Sequence, residues 1–153
     1  VKTDGSGFDK LIIKNGGSKN KKIPNPKLKT YSNCVYTDND LYMNGPDIFN
    51  FTIKNIPGLC EEVLQFNDLE KSEIDYVIFH QANKFMLNFL RKKINISEDK
   101  FCIDLEDGGN TVSNTIPIAL SRAIKKGKVK KNDKILLVGF GVGLSYAGII
   151  IKL

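Results

Sequence analysis

"YVIF", Tyr76–Phe79, is an unbroken apolar run of the type found in strands buried on both faces, which need helices packed against them. Residues 83–94 follow with helical spacing, placing Phe85, Met86, Phe89 and Leu90 on one face and Lys84, Asn88 and Arg91 on the other. "FCIDL" is the next short strand. Thr115 to Lys126 then forms a second amphipathic helix with Ile116, Ala119, Leu120, Ala123 and Ile124 on its core face, Thr115 as cap and Gly127 at the exit. "KILLVGFGVGLSYAGIIIKL" reads as two strands joined by a glycine-rich turn. The order strand, helix, strand, helix, strand, strand defines an α/β fold, a layered unit with a mixed sheet ending in an antiparallel strand pair.

Upstream, Leu11–Ile13 is a short apolar run, and residues 16–30 dissolve into glycine, asparagine, proline and lysine, the composition of a mobile surface loop. From Gly45 to Phe66 apolar residues recur at helical spacing. Pro46 suits the first turn, and Pro57 is expected to kink or interrupt the helix. At 153 residues the chain is one domain long, residues 1–153. It opens without methionine on what reads as a strand end, which suggests a fragment.

Lys and Arg total 23 against 17 Asp and Glu, a net charge of +6 that favours acidic partners. Nucleic acid fits poorly, because only Arg91 and Arg122 offer guanidinium forks and no binding motif accompanies the lysines. No apolar run reaches the roughly 20 residues of a membrane span. Cys34, Cys60 and Cys102 are an odd number without metal spacing, so no disulfide framework or metal site is expected and a reducing cytoplasm is the default.

Three places could carry chemistry. His80 is the only histidine, delivered by the "YVIF" strand into Gln81 and Asn83; the carboxyl end of such a strand is where ligands bind in α/β sheets. A satisfied structural histidine is the alternative. Asn110, in "LEDGGNTVSNTIP", follows Gly108 and Gly109. A carboxamide N–H suits a site where an oxyanion develops, and a plain turn residue is the commoner fate of asparagine beside glycine. "GFGVGLSYAG" lacks the third glycine and the following helix of a dinucleotide fingerprint, leaving a tight turn whose amides could face a ligand oxygen.

"FHQAN", "GGNTVSNTIPIAL" and "GFGVGLSYAG", in this order and spacing, together with "MNGPDIFNFTIKNIP", resemble the C-terminal half of a 3-oxoacyl-[acyl-carrier-protein] synthase III, a condensing enzyme of the thiolase fold. The resemblance spans nearly the whole chain. It implies a Cys-His-Asn site in which a cysteine of the N-terminal half, absent from this chain, takes an acyl group from a CoA thioester. Malonyl-acyl carrier protein then loses carbon dioxide and attacks. His80 and Asn110 match the family's histidine and asparagine, which donate hydrogen bonds to the thioester carbonyl as it becomes enolate. Val142, where many relatives have glycine, matches the position whose backbone N–H serves the second oxyanion hole.

By the same resemblance, Gly45 and Asn83 line the pantetheine path and Phe49 is a pocket-wall aromatic of the substrate site, with plain core as the alternative for Phe49. Lys84, Arg91, Lys92 and Lys93 present positive charge to the acidic carrier protein, although Phe85 stands where an arginine is common; helix-dipole complementation is the plain alternative for this basic end. The implied setting is fatty acid or related acyl-chain synthesis in the cytoplasm. It needs no cofactor, takes acyl-CoA and malonyl-acyl carrier protein as substrates, and in the full-length form works as a homodimer. The fragment alone is expected to be inactive. A non-catalytic pantetheine or carrier-protein binding module and a cysteine hydrolase using Cys34, Cys60 or Cys102 stand as competing readings.

Overall fold

The computed structural model describes all residues, 1–153. The chain divides into two compact units, one built from residues 2–51 and 141–145, the other from 52–140 and 146–153.

In the first unit, β1 (Lys2–Thr3) precedes a single helical turn. β2 (Leu11–Ile13) pairs antiparallel with β5 (Leu41–Met43), and β3 (Lys29–Tyr31) pairs with β4 (Cys34–Tyr36). The β3–β4 hairpin closes through Ser32 and Asn33, both left-handed at φ 47° and 64°, as a two-residue turn between twisted strands requires. The lysine-rich loop therefore ends at residue 28, and Lys29–Thr30 belong to a strand. The loop is also tethered: Asn20 Nδ2 donates to the Lys14 carbonyl at 3.1 Å and Asn39 Nδ2 to that of Ile23 at 2.8 Å. Tyr42 anchors the strands by edge contact with Tyr31 and stacking on Tyr36.

Helix α1 (Gly45–Phe66) is capped by Asn44, whose Oδ1 accepts from the Asp47 N–H at 3.1 Å. It continues through Pro57 without a break, contrary to expectation. The proline forfeits the bond to the Ile53 carbonyl, a cost of about 3 kcal/mol. Burial of Ile56, Leu59, Cys60 and Leu64 on one face offsets that loss.

The second unit is the layered α/β body. Its sheet runs β8–β7–β6, from β6 (Tyr76–Phe79), β7 (Lys134–Gly141) and β8 (Ser145–Lys152). β6 and β7 are parallel; the three residues between β7 and β8 are too few for a crossover, so that pair is antiparallel. Tyr76, Ile78 and Ile135 face helix α3 (Thr115–Lys125), packing with Ala119 and Ala123. Across the sheet, α1 approaches so closely that a Cβ on Gly148 would lie 2.9 Å from Val63 Cγ2. All four β6 residues are buried, as an apolar run without alternation demands.

"FCIDL" contributes only one parallel bridge, Val77 to Phe101, rather than a strand. Helix α2 (Lys84–Lys93) is turned relative to the expected face. Met86, Leu87, Leu90 and Arg91 are buried, while Phe85 is 72% exposed. On α3, Ile124 also lies outside the core.

Candidate active site

His80 follows β6 directly, and its N–H continues the ladder to the Val138 carbonyl at 2.8 Å. The imidazole is half-buried. Phe140 meets it edge-on, with ring centroids 5.5 Å apart at 84°, and Nδ1 lies 2.7 Å from Thr115 Oγ1. Burial holds the ring's pKa below its ordinary value, and the Val112 carbonyl partly opposes this.

Asn110 hangs from the same turn. Its Oδ1 accepts from the Val112 N–H at 2.9 Å, which fixes the carboxamide orientation and leaves Nδ2 outside any bond within the chain. The Val112 carbonyl accepts from the N–H and, at 3.1 Å, the hydroxyl of Thr115. Val112 is thus held from both sides at φ 57°, a conformation costing a β-branched residue about 1–3 kcal/mol. Six residues, 110 to 115, connect the asparagine amide to the histidine's partner. Such strain persists only where surrounding bonds enforce it, as they do here.

The approach to this turn is clamped. Gln81, 1% exposed, donates through Nε2 to the Phe79 carbonyl at 2.7 Å and accepts the Asp104 N–H on Oε1 at 2.7 Å. Arg122 on α3 grips Asp107 with both terminal nitrogens, at 2.5 and 3.0 Å, and reaches Asp104 at 3.1 Å. The segment from Asp104 to Asn110 is therefore tied to β6 on one side and to α3 on the other. Sequence reading missed Thr115 as a histidine partner and Arg122 as a clamp. Thr115 carried a capping signal that obscured the first role, and nothing local links residues 15 apart for the second.

Asn83 caps α2, its Oδ1 accepting from Met86 N–H at 2.8 Å, and stays exposed. Lys84, Lys92 and Lys93 are also exposed. Arg91 is not: at 9% exposure it bonds the Ile96 carbonyl at 3.0 Å and Glu98 at 2.6 Å. Its charge pairs with Glu98 instead of standing open at the helix surface, so the basic end reduces to lysines. Gly45, Phe49 and Val142 belong to the other compact unit. A Cβ on Gly45 would meet nothing within 4 Å, Phe49 is half-buried, and Val142 is exposed in the turn after β7.

No cysteine here resembles an activated thiol. Burial pushes Cys60 up to about 12 and Cys102 to about 11, and Cys34 lies in strand β4 without a helix start beside it. No grouping of histidine, cysteine or acidic residues could hold a metal, and no helix is long and apolar enough to cross a membrane.

Comparison with known proteins decides the family. The domain described as "3-Oxoacyl-[acyl-carrier-protein (ACP)] synthase III C terminal" matches residues 64–153. The chain belongs to the 3-oxoacyl-[acyl-carrier-protein] synthase III family. The beta-ketoacyl-[acyl-carrier-protein] synthase III of Clostridium tetani is 39% identical over 153 residues, 98% of this chain and 45% of the relative. A 2.1 Å crystal structure of a 3-oxoacyl-(acyl-carrier-protein) synthase III superposes with a TM-score of 0.96 at 37% identity, covering 99% of this chain and 46% of that one. The Aquifex aeolicus synthase III gives 0.78 at 30% identity, with 99% and 42% covered. The chain thus spans about half the length of these synthase III relatives, and the thiolase-fold reading stands.

Proposed function

We propose that this chain is the C-terminal domain of a synthase III and supplies the two hydrogen-bond donors that drive decarboxylation of a malonyl thioester. A starter acyl group, taken from acyl-CoA, is held as a thioester on a cysteine outside these 153 residues. The malonyl thioester then loses carbon dioxide. The electrons left on its α-carbon delocalise onto the thioester oxygen, where a ring N–H of His80 and Nδ2–H of Asn110 stabilise the charge. The resulting carbanion attacks the acyl thioester, joining the two carbon chains and releasing the cysteine.

The observation carrying this reading is the shared turn: His80 and Asn110 bond to Thr115 and Val112, three residues apart, and Asn110 Nδ2 has no internal partner. Raised thiol pKa values at Cys60 and Cys102 argue against a nucleophile within the chain. Gly45 and Asn83 line the pantetheine path in this reading, Phe49 is a pocket-wall aromatic, and the Val142 N–H serves the second oxyanion. The exposed Lys84, Lys92 and Lys93 receive the acidic carrier protein, and the complete enzyme is a homodimer.

To test it, the chain is extended at its N-terminus with the segment that precedes the aligned region in the Clostridium tetani relative, and malonyl-thioester decarboxylation is measured. His80→Ala and Asn110→Ala should each lose on the order of 100-fold in rate, the typical effect of deleting one oxyanion donor. Full activity in both variants overturns the assignment.

A further inference from the structure

The segment after α2 runs parallel to β6 for one rung only. Val77 N–H donates to the Lys100 carbonyl at 2.8 Å, and Cys102 N–H donates to the Val77 carbonyl at 2.9 Å. A parallel ladder repeats every two residues, so its next rung would join the Cys102 carbonyl, the Asp104 N–H and both backbone groups of Phe79. Three of these four groups bond to one side chain instead. Gln81 Nε2 donates to the Phe79 carbonyl at 2.7 Å and, more weakly, to the Cys102 carbonyl at 3.4 Å, while Oε1 accepts the Asp104 N–H at 2.7 Å. The reversed carboxamide would set its oxygen against two carbonyls, so the network fixes its orientation. At 1% exposure, no water can take over these bonds.

We propose that Gln81 is a positioning residue for His80 and Asn110: its carboxamide stands in for the missing rung, wedges residues 103–110 away from the end of β6, and so sets the gap between the two hydrogen-bond donors. A direct rung would draw Asp104 to strand spacing, about 4.8 Å from β6. With an amide between them, the chain leaves the sheet beside Phe79, the residue before His80, and reaches Asn110 six residues after Asp104. Only a side chain of this length with one donor and one acceptor end fits. Leucine offers neither, ionised glutamate only accepts, and asparagine is one carbon short. The bearing on catalysis rests on the function proposed above, whereas the wedge itself is read without substrate.

The test uses the N-terminally extended protein, with amide exchange and malonyl-thioester decarboxylation measured on the same samples. In Gln81→Leu, exchange at residues 104–112 should rise on the order of tenfold while Val77 and Cys102, on the rung below, keep their protection. kcat should fall by roughly tenfold or more with KM little changed, because displaced donors lose contacts made only in the transition state. Gln81→Glu supplies a pH readout. Its protonated acid has the one donor and one acceptor that the wedge needs, and burial against two carbonyls raises its pKa above the ordinary carboxylate value. The variant is therefore closest to wild type at pH 5. Exchange at residues 104–112, taken as a ratio to wild type at the same pH, should rise severalfold by pH 8 as the acid ionises. The neighbouring groups keep that sign: Asp104 disfavours a second carboxylate, Arg122 is engaged by Asp104 and Asp107, and Lys126 stands 3.9 Å from Asp104. The Cys102 thiol, pushed up to about 11, and His80, with its lowered pKa, are both neutral at pH 8. Unchanged exchange at residues 104–112 in Gln81→Leu overturns the proposal, as does a Gln81→Glu ratio that stays flat from pH 5 to 8, or a raised KM with kcat intact. Should Gln81→Leu fail to fold, the Gln81→Glu ratio decides. If His80→Ala and Asn110→Ala both stay fully active, the decarboxylation reading falls while the exchange data still decide on the wedge.

Discussion

A half-buried imidazole reports its surroundings through the proton it resists. Burial outweighs the Val112 carbonyl and lowers the pKa of His80 below 6.5, so the folded chain binds that proton less readily than the unfolded one. Linkage fixes the sign: the histidine leaves stability unchanged well above pH 6.5. It removes stability as pH falls through 6.5 toward the folded value, and the loss levels off below it. Carboxylates such as Asp38, Glu73 and Asp107 are shifted down from already low values, so their contribution is lost in a more acidic range. Urea unfolding between pH 8 and 5 isolates the effect, because no second histidine titrates there. His80→Asn should flatten the fall seen in the wild type, and parallel curves would mean the ring is as free to charge folded as unfolded.

At the scale of elements, the segment from Asp104 to Asn110 has no regular structure and owes its path to side chains of its neighbours. Arg122→Ala releases Asp107 and leaves Asp104 with only Lys126, 3.9 Å away. Since Asp107 is largely exposed, the stability loss should be small, while amide exchange at residues 105–112 rises severalfold and decarboxylation by the extended protein falls. Arg122→Lys should rescue only partly, because an ammonium cannot grip both Asp107 oxygens; unchanged exchange in both variants would remove Arg122 from the site's support. This clamp was invisible in the sequence because it joins residues by tertiary packing, whereas β6, α3 and the β7–β8 pair were legible from apolar runs, periodicity and glycine. The α2 face was misjudged for a related reason: the buried Arg91 bonds the Ile96 carbonyl and the exposed Glu98 carboxylate, and this turns Phe85 outward. The short strands of the other unit carried no signal, since a three-residue pairing exposes too little pattern. The positions of His80 and Asn110 followed from motif order, but their common anchor in Val112 and Thr115 did not.

For the whole molecule, the balance of covered and uncovered apolar surface matters most. The layered unit buries β6 completely, yet Phe66 stands 90% exposed and Phe85 72%, joined by Val112, Ile124 and Ile149. Single exposed apolar residues are ordinary on any surface. Several large ones favour association, because water penalises each by roughly 25 cal/mol per Å² of exposed apolar area. The net charge of +6 opposes association at low ionic strength and is screened within about 10 Å at 0.1 M salt. Sedimentation velocity of the isolated chain should therefore show self-association that strengthens with added salt. Phe66→Lys with Phe85→Lys should weaken it, and extension by the preceding segment of the Clostridium tetani relative should replace it with one discrete species. A chain that stays monomeric at every salt concentration would show that these side chains are ordinary surface and that the sheet and helices form a self-sufficient body.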